Sequence, residues 1–251
     1  MRKSLLICAL LVSVCCSAEE LSVAAAADLN FAMKQIAQQY HHDTGNTLRL
    51  SFGSSGNFFI QIQNGAPFDL FFSADIGYPQ KLEQAGLTES GTLYRYAVGK
   101  IVLWVPNNSK LDLSKGANVL LDPSIRKIAI ANPAHAPYGR AAEEALKNAG
   151  IYDRVKDKLV LGENISQTAQ FVETGNAEMG ILAQSLAMAP TMRTQGKFIE
   201  VPATLYRPIE QAAVVLKTSR KKSVAEAFLQ YLHRPAIQQI LAKYGFTAPM
   251  R

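Results

Sequence analysis

The feature that most constrains this chain is an alternation. Short apolar runs give way to amphipathic, helix-patterned stretches nearly to the end, and each changeover passes through a few small, hydroxylic or turn-forming residues. Buried strands read as continuous apolar runs, whereas surface helices carry one apolar stripe. Their regular succession is the mark of an α/β protein with mainly parallel sheet. Leu21 to Ala26 predicts a first strand and Leu29 to Tyr40 a helix, with Leu29, Ala32, Met33, Ile36, Ala37 and Tyr40 on one face and Asp28 at the N-cap position. Leu48 to Phe52 predicts a second strand, followed by the loop Gly53-Ser54-Ser55-Gly56 and a helix from Asn57 to about Asn64. Further along, strands are expected at Lys127 to Ala131, Leu159 to Leu161, Met179 to Leu182 and Ala212 to Leu216. Helices are expected at Arg140 to Ala149, Gln167 to Thr174, Ser223 to His233 and Pro235 to Tyr244. Trp104 and the pairs Phe58-Phe59 and Phe71-Phe72 read as core.

The chain has 251 residues, 48% hydrophobic and 18% charged, a composition of ordered globular protein. That length fits one large domain or two smaller ones. Arg2 and Lys3, the apolar run from Leu5 to Val14, and the small residues up to Ala18 read as a secretory signal, residues 1–18, too short to span a bilayer. A lipid anchor on Cys15 or Cys16 is the rival reading. Cleavage after Ala18 leaves 233 residues and removes Cys8, Cys15 and Cys16, hence all disulfide and thiolate chemistry. It also lowers the formal charge from +6 to +4, and the remaining Lys and Arg are scattered. No nucleic-acid footprint is expected.

Four junctions stand before helices: Ala26-Ala27-Asp28, Ser54-Ser55-Gly56, Pro137-Tyr138-Gly139 and Asn164-Ile165-Ser166. A helix N-terminus presents unsatisfied N–H groups and a partial positive charge. Several converging on one cleft would make an anion site without a cationic side chain. Taken singly, each junction reads as helix capping. Catalytic signals are sparse, with no nucleophile elbow, P-loop or dinucleotide fingerprint. A hydrolase built on Ser55 and His135 lacks a specified acid partner, and His41-His42-Asp43 reads as a solvated helix end.

The segments Ala24 to Leu29, Ser51 to Gly56, Gly65 to Asp75, Asn132-Pro133 with Pro137-Tyr138-Gly139, and Tyr244-Gly245-Phe246 together resemble the periplasmic molybdate-binding proteins of bacterial ABC importers. The likeness runs through the whole mature chain in order, and Gly65 to Asp75 is its most specific part. It implies a two-lobed, type II periplasmic-binding-protein fold. Residues 19–97 and 211–251 would form one lobe and residues 98–210 the other, with crossings near Tyr96 to Lys100 and Arg207 to Ala212. It further implies a monomeric, non-enzymatic periplasmic protein without cofactor that captures molybdate and tungstate and delivers them to an inner-membrane permease.

Carried over by position, the ligand contacts are Ala27, Asp28, Ser55, Tyr138 and Ile165, the last through its main-chain N–H. No protein group would ligate the metal directly. This chain departs from the family in having Ala27-Asp28 where Ser or a Thr-Asn pair is common, and Ala183 where some members place a Tyr. Tyr138 then supplies the phenol. Molybdate is a dianion that only accepts hydrogen bonds, whereas phosphate keeps a proton and wants an acceptor. Asp28 is read as a cap that offers its N–H. If its carboxylate instead faces the ligand, phosphate or another tetrahedral oxyanion becomes the rival substrate.

Overall fold

The computed structural model describes residues 18–249. The leader reading therefore lies, apart from Ala18, outside the described residues, as do Cys8, Cys15 and Cys16. In chain order the elements are β1 (Glu20–Ala26), α1 (Asn30–Thr44), β2 (Thr47–Gly53), α2 (Ser55–Gln63), β3 (Leu70–Ser73), α3 (Gly77–Gln84), β4 (Tyr94–Gly99) and β5 (Ile101–Pro106). There follow β6 (Ile128–Ala131), α4 (Pro137–Asn148), α5 (Tyr152–Val155), β7 (Leu159–Gly162), α6 (Ile165–Glu173), β8 (Met179–Ala183), α7 (Gln184–Ala187) and α8 (Pro190–Gln195). The last third holds β9 (Gly196–Glu200), β10 (Ile209–Val215), α9 (Lys222–Tyr231) and α10 (Pro235–Lys243). Among the described residues no helix is long and apolar enough to cross a membrane.

The strands form two sheets of the same design, in the orders β2-β1-β3-β10-β4 and β7-β6-β8-β5-β9. In each, three neighbouring strands run parallel, and the fourth is antiparallel to both strands beside it. Those antiparallel strands, β10 and β5, are the ones on which the chain enters a sheet from its counterpart. It passes directly from β4 to β5 at Lys100 and returns between β9 and β10. Two spans joining the lobes make a hinge that permits approach and separation but resists free rotation.

Each sheet buries its own core. In the first lobe Tyr40, Phe72, Phe228 and Tyr231 interlock edge-on, with Tyr40 and Phe228 ring centres 4.8 Å apart. In the second, the fully buried Trp104 lies in a bed of Val, Ile and Leu from β5, β6 and β8. At about 25 cal/mol per Å² of apolar surface buried, aromatic in part in the first lobe and chiefly aliphatic in the second, these cores hold the loops in place.

The paired Tyr244-Gly245-Phe246 explains itself here. Tyr244 and Phe246 are buried, and Gly245 adopts φ of 80° where α10 stops. A Cβ on Gly245 would also stand 2.9 Å from Gln184 of the other lobe, so glycine is required twice over.

The elements expected from the alternation are present, but three helices begin earlier than their apolar patterns indicate. They are α2 at Ser55 rather than Asn57, α4 at Pro137 rather than Arg140, and α6 at Ile165 rather than Gln167. The small and hydroxylic residues read as loop form each first helical turn.

Candidate anion-binding cleft

Ser54 caps α2 by accepting from the Asn57 N–H, and Asn164 caps α6 by accepting from the N–H groups of Ser166 and Gln167. Pro137 opens α4 at a position where its missing N–H costs nothing. The caps on α2 and α6 serve N–H groups beyond the first residue of the helix, and in α4 Tyr138, directly after Pro137, carries the first N–H. Among the described residues, the N–H groups of Ser55, Tyr138, Ile165 and Ala27 have no acceptor. All four residues line one small cavity between the lobes, together with Asp28 and Ala74.

Ser55 adds a fifth donor. Its Oγ accepts from the Ala74 N–H at 3.0 Å, which fixes the side chain and leaves the hydroxyl hydrogen uncommitted. About 10 Å³ of the cavity is open to the centre of a water-sized sphere, and no Lys, Arg or His lines it. Larger recesses exist elsewhere, such as the groove of about 430 Å³ beside Arg140 and Arg207, but it is an open crevice without convergent N–H groups.

Asp28 departs from the cap expected of it. A 3₁₀ turn, Ala27–Leu29, intervenes before α1, whose N-cap is Leu29, and no side chain caps either element. The Asp28 carboxylate is instead buried at the lobe junction, where Oδ2 accepts from the Tyr138 hydroxyl at 2.9 Å and from Gln211 Nε2 at 2.7 Å. Gln211 Nε2 also donates to the Tyr138 hydroxyl at 3.0 Å, and its Oε1 accepts from Tyr96 at 2.7 Å.

This geometry corrects the expected role of the Tyr138 phenol as well. Its proton is committed to Asp28, so Tyr138 offers the cavity its main-chain N–H rather than its hydroxyl. Burial holds the Tyr138 hydroxyl well above its ordinary pKa, and the neighbouring Asp28 adds to the effect. Burial also lifts Asp28 from 3.8 to about 6, with the Gln211 and Tyr138 hydrogen bonds opposing the rise.

The lobes are shut in this structure. Ser166 and Ser185 of the second lobe donate to the carbonyls of Ala27 and Asp28 at 3.0 and 2.8 Å, and the Gly56 N–H donates to the His135 carbonyl at 2.9 Å. Farther out, Arg140 pairs with Asp75 at 2.5 Å and bonds the Tyr78 hydroxyl at 3.1 Å. Gln211, Ser185 and the Arg140 pair were not singled out from the sequence, and Ser166 was named there only as part of a junction, not for a contact across the lobes. The Ser55–His135 pairing of a hydrolase does not form, because His135 Nδ1 lies 2.9 Å from Ser54 Oγ. Among the described residues no group of three or more His, Cys, Asp or Glu is placed to hold a metal ion.

Two α/β lobes hinged on paired spans and shut on a donor-lined cavity define a solute-binding protein that takes its ligand between its lobes. The chain belongs to the bacterial extracellular solute-binding proteins, whose family model matches residues 21–247. It is 42% identical to the molybdate-binding protein ModA of Azotobacter vinelandii over 236 residues, covering 94% of this chain and 93% of that one. It is 40% identical to ModA of Rhodobacter capsulatus, over 92% of this chain and 89% of that one. Among solved structures, the periplasmic molybdate-binding protein of Azotobacter vinelandii superposes with a TM-score of 0.87 at 33% identity, over 92% of this chain and all of that one.

Two outcomes follow from the cleft. A Cβ on Gly56 would meet the His135 carbonyl oxygen at 2.6 Å and its Cα at 2.9 Å, both backbone of the opposite lobe. Gly56→Ala should therefore block full closure. Circular dichroism should stay native while small-angle scattering loses the compaction that ligand induces, and affinity should fall tenfold or more.

The second concerns pH. With its pKa raised from 3.8 to about 6, Asp28 holds its proton more tightly in the closed form than when hydrated. The contribution of that proton to closure is complete below 3.8 and is lost as pH rises through 6, a difference of about 3 kcal/mol. Ligand-free wild type should open between pH 4 and 7 by small-angle scattering, and Asp28→Asn should not.

Proposed function

We propose that this chain binds molybdate, and tungstate equally, in the periplasm and delivers the anion to an inner-membrane ABC permease, acting as a monomer and catalysing no reaction. The observation that carries the reading is the cavity: four unpaired N–H groups and one free hydroxyl hydrogen, with no cation, in a space a few ångströms across. A sphere of 10 Å³ has a radius of ~1.3 Å, and adding the ~1.4 Å of a water-sized probe gives a cavity ~2.7 Å in radius. That suits one small tetrahedral ion and excludes sugars, amino acids and peptides.

Donors without cations suit a ligand that is itself fully deprotonated, because every ligand oxygen then accepts and no ligand hydrogen seeks a partner. The molybdate-binding names of the relatives in Azotobacter and Rhodobacter point the same way. The leader and the periplasmic name of the superposed structure support export. In this reading Ala27, Ser55, Tyr138 and Ile165 hold the anion through main-chain N–H groups, Ser55 additionally through its hydroxyl. Asp28 contributes at the cavity wall.

Calorimetry with molybdate, tungstate, sulfate and phosphate tests the proposal. Molybdate and tungstate should bind tightly with a stoichiometry of one and no turnover. Ser55→Ala deletes one hydrogen bond to charge, worth ~1.5 to 3 kcal/mol, and should weaken binding ten- to a hundredfold. Tight phosphate binding with indifference to molybdate would overturn the substrate assignment, and an unchanged Ser55→Ala dissociation constant would remove the hydroxyl from the site.

A further inference from the structure

Building on the oxyanion reading above, we propose that Asp28 binds the anion as a neutral carboxylic acid whose Oδ1 supplies a further hydrogen-bond donor, so that capture of a dianion takes up one proton from solution. Asp28 lines the cavity and is 1% exposed. Its two oxygens are unlike. Oδ2 takes the side-chain hydrogen bonds from Tyr138 and Gln211, whereas Oδ1 is buried and makes no hydrogen bond of ordinary geometry, the main-chain N–H groups of Asp28 and Leu29 giving the carboxyl only minor support. A buried carboxylate oxygen without a donor is costly, and a protonated one beside a ligand that offers only acceptors is satisfied.

The surroundings provide no other way to neutralise the charge. The groups facing Asp28 are Tyr138 on α4, Gln211 on β10, Tyr96 on β4 through Gln211, the main-chain N–H groups of Asp28 and Leu29, and the Ser185 hydroxyl on α7, which donates to the Asp28 carbonyl. The two tyrosines are the titratable members, and burial keeps both protonated far above neutrality. An ionised Asp28 next to a dianion would place three negative charges together with no cation among them. Burial already eases protonation in the ligand-free closed form, lifting the carboxyl from 3.8 to about 6, and a dianion alongside raises it further, past neutrality.

The balance is simple. The ionised carboxylate of the open protein and the dianion combine with one proton drawn from buffer. The proton resides on Oδ1 and is donated to a ligand oxygen, and no bond of the anion breaks. A ligand that carries its own proton, such as hydrogen phosphate, would bring the shared proton with it and draw none from solution.

Calorimetric titration with sodium molybdate at pH 7.5, in two buffers of different ionisation enthalpy, measures the uptake directly. Close to one proton per bound anion is expected, with the dissociation constant weakening about tenfold per pH unit between 7 and 8.5. Asp28→Asn keeps an acceptor for Tyr138 and Gln211 and should take up no proton and bind with a flat pH profile. Tight molybdate binding by wild type without uptake or pH dependence overturns the inference and leaves the function standing, and this arm decides even if Asp28→Asn does not fold. Uptake that persists undiminished in Asp28→Asn overturns the assignment to this residue. Failure to bind molybdate or tungstate overturns both.

Discussion

An anion held without a cation must be held by donors that have nothing better to do. Water competes for such donors in the open protein, so they acquire value only when closure strips the water away and the local dielectric falls. The first-turn N–H groups of α2, α4 and α6 meet both conditions. Their positions in the helix deny them an intrahelical partner, and the side-chain caps Ser54 and Asn164 serve the N–H groups just beyond them. In the proposed reading, that division of labour in α2 and α6, together with the proline that opens α4, is what converts three ordinary helix starts into one site. It also places the donors on both lobes, Ser55 on one and Tyr138 and Ile165 on the other, so the complete set exists only in the closed form.

Closure therefore has its own energetics, separable from ligand contact. The node of Asp28, Tyr138, Gln211 and Tyr96 joins the lobes at the back of the cavity through neutral hydrogen bonds, each worth about 1 kcal/mol net. The Arg140–Asp75 pair closes the outer edge, but both side chains are about a third exposed, and such pairs contribute about 0.2 to 1 kcal/mol. Against these stands the burial of Asp28. Contributions of this size nearly cancel, which is the condition a transport protein needs. A strongly favoured closed state would trap or exclude its ligand, and a strongly disfavoured one would reduce apparent affinity by the fraction that is closed.

The sequence made the architecture legible because burial on both sheet faces leaves continuous apolar runs such as Ile128 to Ala131, and the helices carry one-sided stripes such as Ala32, Met33, Ile36 and Tyr40. The junctions were legible too, as clusters of small residues before helices. Their conformation was not. Ser55, Tyr138 and Ile165 carry no periodic signal because the first turn of each helix faces the cleft, not the core, and so the apolar pattern starts two or three residues late. Asp28 misled for a different reason. An Asp before an apolar helix ordinarily caps it, and only a contact with Gln211, 183 positions away, turns the carboxylate toward the lobe junction. Contacts of that range leave no local trace. The Ser166 and Ser185 hydroxyls, which reach across 139 and 157 positions, were invisible on the same ground.

Replacement of a neutral amide or hydroxyl by the acid at position 28 alters what the cleft can discriminate. With only N–H and O–H donors, the site would rank tetrahedral anions by size and basicity. An acid that must be protonated to coexist with a dianion adds a second criterion, the proton affinity of the whole assembly. A more basic oxyanion shares the Asp28 proton more equally and strengthens that hydrogen bond, whereas a weakly basic one such as sulfate gains less from it. Hydrogen phosphate presents the opposite balance, since it can leave Asp28 ionised as an acceptor for its own proton. Selectivity against it then falls to the donors, one of which must forgo a ligand oxygen that has become a hydroxyl, and an unpaired buried donor costs about 1 to 3 kcal/mol. On the proposed reading, one carboxyl group just before α1 links ligand choice, lobe closure and ambient pH, through a hydrogen-bond node that contains no other charge.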